Sequence, residues 1–111
     1  MSVNVKCLLE AKIADTAQTT QYSAPASTRT IIDKFTAYCY AVTATTFAVN
    51  VVASGGSVAA GNCVTTKTIA PGECYLLPEL VGHVLNSGDF ISTLPGAATS
   101  IIIRISGREI T

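Results

Sequence analysis

The stretch Thr30–Val42, TIIDKFTAYCYAV, decides how the rest of the chain is read. Phe35, Ala37 and Cys39 fall on one side of an extended backbone, and Lys34, Thr36, Tyr38 and Tyr40 on the other. A period of two is the mark of a half-buried β-strand, because successive side chains leave opposite faces of the pleat. The side carrying Lys, Thr and two tyrosines is then either wet or covered by a partner. Tyrosine suits the second role, since its ring can be buried while its hydroxyl finds a bond, and it equally suits ordinary cross-strand packing on a half-exposed sheet.

The same period recurs outward from this segment. Phe47, Val49 and Val51 share a face in FAVNVV with Asn50 opposite, and Ile101, Ile103 and Ile105 share one in IIIRIS with Arg104 and Ser106 opposite. Val3–Ile13, Thr19–Ala24, Cys63–Ile69, Cys74–Leu77 and Phe90–Leu94 complete a set of short strands, and Ile105–Ile110 extends the last one. Turn chemistry separates them at Ala24-Pro25-Ala26, Ser54-Gly55-Gly56-Ser57, Ala70-Pro71-Gly72-Glu73, Asn86-Ser87-Gly88-Asp89 and Leu94-Pro95-Gly96. One helical turn after Pro78 is the only helix the pattern allows. The expected fold is all-β, an antiparallel β-sandwich of jelly-roll type.

Composition bounds the rest. A chain of 111 residues makes one domain, residues 1–111, with no room for a second core. Charged residues make up 13%, against about 25% in an average soluble chain, while 49% are hydrophobic, which excludes a disordered tail. Seven acids cancel seven bases, so the net positive charge that phosphate neutralisation needs is missing and nucleic acid is not an expected partner. No apolar run approaches the roughly 20 residues of a membrane-spanning helix. Lys6, Glu10, Lys12 and Asp15 interrupt the N-terminal segment in a way no secretory signal tolerates. The expectation is folding in the cytoplasm, with Cys7, Cys39, Cys63 and Cys74 as free thiols acting mainly as small buried hydrophobes. A surface so poor in charge and rich in Ser, Thr, Ala and Gly is often one that other protein covers.

The segment Pro71–Pro95, PGECYLLPELVGHVLNSGDFISTLP, is where a reaction centre would have to be. His83 could act as a base, oriented by Glu79 or Asp89, with Ser87 or Cys74 as nucleophile. No nucleophile-elbow motif marks it and there is no second histidine. A cupin-like metal site would need two or three histidines, and a zinc site a C-x-x-C pair. Turns account for each residue: Pro71-Gly72 fits the centre of a type II turn, Gly88 a left-handed position, and Asn86 and Asp89 can close their turn through side chains. Neither catalysis nor a cofactor or metal is expected here.

The order of Thr20–Ala26, Arg29–Ile32, Phe47–Val52, Ile69–Glu73, Val84–Ile91 and Ile105–Ile110 resembles small all-β virion proteins of tailed bacteriophages. One departure is Tyr38-Cys39-Tyr40, where that pattern more usually has a polar, Asn-containing strand end. The resemblance implies a non-enzymatic structural protein of the virion, assembled in the host cytoplasm. Its first form is a capsid decoration (cement) protein that binds the major capsid protein from outside and stabilises the shell. A neck, collar or tail-associated protein of the same fold is the alternative, and a carbohydrate-binding or cupin-like module a more distant one. Many copies and homo-oligomers go with this reading, through contact elements at Val3, Val5, Cys7, Leu9, Tyr38 and Tyr40. An N-terminal strand of this kind can add to a neighbour's sheet edge.

Overall fold

Alternation builds the central strand first. In the computed structural model, which describes residues 2–97 and 99–111, the strand β3 spans Arg29–Cys39 and buries Phe35, Ala37 and Cys39 completely. The described residues form eight further strands: β1 Val3–Ile13, β2 Thr19–Ser23, β4 Thr45–Val52, β5 Cys63–Ile69, β6 Cys74–Tyr75, β7 Val84–Leu85, β8 Phe90–Pro95 and β9 Ile101–Ile110. Every pairing is antiparallel. The larger sheet has the order β1-β9-β3-β6, with β7 also beside β3; the smaller has the order β2-β8-β4-β5.

The fold is an antiparallel β-sandwich. β6 and β7 flank opposite ends of β3, at Ala37–Tyr38 and Thr30–Ile31, so together they act as one interrupted strand. Counted that way, the sandwich has eight strands, and the chain passes between sheets as a jelly roll does, with β1 and β9 side by side and β4-β5 a hairpin in the smaller sheet. The two layers meet over Ile32, Phe35, Ile103 and Ile105 on one side and Phe47, Val49 and Ile91 on the other. Phe35 and Phe47 touch edge-on across the gap, with centroids 6.3 Å apart and planes at 64°.

The turns follow their chemistry. Glu73 N–H donates to the Ala70 carbonyl at 3.0 Å, and Gly72 has φ +77°, as the Pro71-Gly72 turn requires. Asp89 N–H donates to Asn86 O at 2.9 Å around Gly88. The Asp89 carboxylate accepts from the N–H groups of Asn86 and Ser54, so the main chain of Asn86, not its side chain, closes this turn. After Pro78 there is no helix but a series of turns bonded Leu77–Leu80, Pro78–Val81 and Leu80–His83. Leu77 and Leu80 are fully buried, which fastens that loop to the core. The strand expected over Cys74–Leu77 shrinks to Cys74–Tyr75, because Leu77 turns inward with φ 45°.

Two features lie outside the alternation. Asn50 faces away from the core, yet it is buried, because residues 53–62 fold over it and close with a 3₁₀ turn at Ala60–Asn62. Its Nδ2 donates to Ala59 O and to Asn62 Oδ1, at 3.0 and 2.7 Å. The second is a polar cluster between the layers, where Tyr22 donates to the nearly buried Glu109 and bonds Thr30, while Lys6 Nζ lies 3.3 Å from Glu109. Burial and the Glu109 carboxylate push the Tyr22 hydroxyl up to about 12 from 10.0. An unfolded tyrosine gives up its proton near pH 10 and the folded one only near 12, so stability falls as pH rises between those values. Thermal melts across that range should show a steeper loss for the native chain than for Tyr22→Phe; parallel curves would remove Tyr22 as the cause.

Candidate functional site

The outward side of the larger sheet is the candidate site. On β9 the odd residues Ile101, Ile103, Ile105, Gly107 and Glu109 point inward and are buried, which turns Ile102, Arg104, Ser106, Arg108 and Ile110 outward. Register then places their neighbours, since paired residues share a face. Val3–Ile110–Arg29 form one cross-strand row and Val5–Arg108–Ile31–Val84 the next. Cys7–Ser106–Lys34, Arg104–Thr36 and Ile13–Ile102–Tyr38–Cys74 follow. Four of the residues singled out from sequence, Val3, Val5, Cys7 and Tyr38, thus lie on one surface.

The remaining two lie differently. A bulge between Cys7 and Leu9 inserts an extra residue into β1, so Leu9 pairs with the inward Ile105 and packs against the core. Tyr40 follows the end of β3 and is exposed. Exposure on this side is large for apolar groups: 75% for Val5, 53% for Val3, 50% for Val84 and 40% for Tyr38. The surface runs onto the outer edge of β1, an eleven-residue strand that pairs on one side only. Ser2 and Thr111 add a reciprocal pair of backbone bonds, both 2.9 Å, to the β1–β9 ladder. Lys6 and two bulges interrupt this edge, features that restrain indiscriminate strand pairing.

Charge on this surface is unevenly used. Arg108 and Asp33 form a fork, with guanidinium nitrogens 3.0 Å from the carboxylate. Arg29, Lys34 and Arg104 are exposed, and none forms an ion pair among the described residues. A cleft of about 290 Å³ between Ser27, Thr28, Arg29, Ser87, Ile110 and Thr111 lies at one end of the face.

Three of the groups considered for a reaction centre, Glu79, Ser87 and Asp89, have side chains engaged in other contacts. Glu79 accepts from the hydroxyls of Tyr75 and Thr65, which hold its carboxyl below the usual range, Tyr75 most of all. Lys67 sits 5.2 Å from the Tyr75 ring centroid, so this group clips the loop after β6 onto β5. Ser87 exchanges bonds with the Thr28 backbone, and Asp89 caps two turns. His83 is exposed, and its main chain bonds Ile32 and Leu80. Among the described residues, no three His, Cys, Asp or Glu side chains gather as metal ligands, and no helix is long and apolar enough to cross a membrane. The thiols are unpaired: Cys39 is buried and Cys7 half-buried, but Cys63 and Cys74 are exposed, against the expectation of buried hydrophobes. Cys63 opens the edge strand β5, and Cys74 pairs with outward-facing Tyr38.

No family model matches the chain, and no curated protein does. Among solved structures it is similar to a chain from work described as "Bacillus endospore appendages form a novel family of disulfide-linked pili". The TM-score is 0.56 at 17% identity, over 99% of this chain and 87% of that one. At that identity the likeness concerns the fold.

Proposed function

We propose that this chain is a non-enzymatic structural protein, held in many copies within a larger protein assembly. The observation that carries the proposal is the uncovered apolar and aromatic face of the larger sheet, continuous with the free edge of β1. A sheet edge offers unpaired backbone groups to a neighbouring chain, and a face with exposed valines and tyrosine offers area to bury. Repetition would make attachment firm even where each contact is modest.

The assembly we favour is the outer surface of a tailed-phage capsid, with the major capsid protein as partner and the virion as location. The order of turn and strand motifs along the sequence supports it. A neck, collar or tail position uses the same fold in fewer copies. A second reading is a self-associating fibre subunit. It draws on the pilus wording attached to the similar structure and on the exposed thiols of Cys63 and Cys74, which are accessible for cross-links between copies.

Quantitative mass spectrometry of the purified particle separates these readings. One copy per capsid subunit, or a simple fraction of that, is the result expected for decoration. A handful of copies moves the protein to the neck or tail. Absence from the virion, together with filaments of the purified chain that dissolve only on reduction, would favour the fibre.

A further inference from the structure

Ten of the fourteen charges in this electrically balanced chain can be assigned a use, and the remainder is lopsided. Six of the seven acids are committed within the chain: Asp15 to Lys12, Asp33 to Arg108, Glu109 to Lys6 and Tyr22, Glu73 to the Ala70 N–H, Glu79 to two hydroxyls, and Asp89 to two turns. Glu10, in the second bulge of β1, is the exception. Of the bases, Lys67 is placed over Tyr75, and Arg29, Lys34 and Arg104 have no carboxylate within ion-pair distance among the described residues. All three belong to β3 and β9, and register puts all three on the outward face of the larger sheet.

We infer that this face docks onto an acidic and apolar protein surface, with carboxylates set to meet Arg29, Lys34 and Arg104 and apolar side chains to cover Val5, Ile31 and Tyr38. The inference rests on the structural role proposed above and names the chemistry of the partner. A second copy does not fit the same face, because a two-fold contact would set three cations against three, with one Glu10 on each side to answer them. Self-association, where it occurs, is left to other surfaces, such as the β1 edge and the β5 edge with its exposed Cys63. Nucleic acid fits poorly too, since Val5, Ile31 and Val84 lie in the row between Arg29 and Lys34 and the chain as a whole is neutral. In size the face is ten residues long, three strands wide through its middle and four at its ends, about 33 by 14–19 Å. That footprint, before corrugation is counted, is smaller than the ~800 Å² per partner of a standard interface.

The test uses the full chain added back to particles assembled without it, followed by co-sedimentation. Lys34→Glu with Arg104→Glu should weaken binding about 100-fold, a factor of ten for each reversed contact. Melting should be unchanged, because both side chains are exposed. Lys34→Arg with Arg104→Lys should keep most of the affinity, and Thr66→Glu with Thr68→Glu, exposed on the other sheet, should change nothing. Unaltered binding of the charge-reversed chain overturns the inference while leaving the structural role standing. Absence of binding by all variants and by the native chain overturns the capsid reading. The face is then judged by an NMR titration with a soluble peptide of alternating glutamate and leucine, where shifts confined to β3 and β9 support it and their absence refutes it. Tight binding of the native chain to an oligonucleotide at physiological salt would also overturn it.

Discussion

Phe35→Ala should lower the unfolding free energy by about 4 kcal/mol, at the upper end for a single side chain. Phe35 is wholly buried at the middle of β3 and meets Phe47 of the opposite sheet edge-on, so the pair spans the gap between the layers. Removing one ring forfeits its transfer free energy and leaves a cavity that two hydrogen-bonded sheets cannot collapse to fill. A domain of this size has about 5–15 kcal/mol in total, so the melting temperature should drop by roughly 15 °C. Phe47→Ala should behave alike. The double variant should fall short of additivity by about 1 kcal/mol, the part owed to the ring–ring contact. A Phe35→Ala melt within a few degrees of the native one would mean that the sheets do not pack through this pair.

Gly107→Ala should cost about 3 kcal/mol, although it adds only a methyl group. Gly107 sits within β9, between Lys6 of β1 and Ile32 of β3, in ordinary extended conformation. A Cβ there would run into the carbonyl oxygen of Ile31 and crowd the Leu8 side chain at 2.9 Å. The obstacle on the β3 side is backbone held in a ladder beside a bulge, so it cannot swing aside. Two other glycines separate this cause from conformational strain. Gly72 has φ +77° and open space around it, so Gly72→Ala should cost only about 1 kcal/mol of backbone strain. Gly61 has neither restriction, and Gly61→Ala should be neutral. Chemical denaturation of the three variants would reveal the order; equal losses would refute the steric account.

The strands were legible where one face is buried and the other is not. Phe35, Ala37 and Cys39 on β3 and Ile101, Ile103 and Ile105 on β9 are buried as their period requires. The bounds of β1, Val3–Ile13, and the Pro71-Gly72 turn also follow from local chemistry. Where local chemistry was silent, the reading went astray. By count Leu9 is in phase with Val3, Val5 and Cys7, but a bulge shifts it, and nothing in the letters VKCLLE announces an extra residue. Cys74 and Cys63 carry a small apolar side chain that fits a core as well as an edge, so type alone could not place them. A candidate surface could be suspected from Tyr38 and Val5; its charge could not, because seven acids and seven bases sum to nothing.

What the sequence determined by itself is therefore the local layer: extended segments, their turns, and which side of each faces oil. A period of two and a Pro-Gly pair act over a few residues, and no distant contact is needed to set them. The tertiary structure decided the order of strands, the shift of Leu9, the cover over Asn50 and the gathering of Arg29, Lys34 and Arg104 on one face. Arg29 and Arg104 are 75 positions apart in the chain, and only the β3–β9 register brings their strands side by side. Pairing across such distances depends on how bulges and the packed core fix register, which is a property of the whole sandwich.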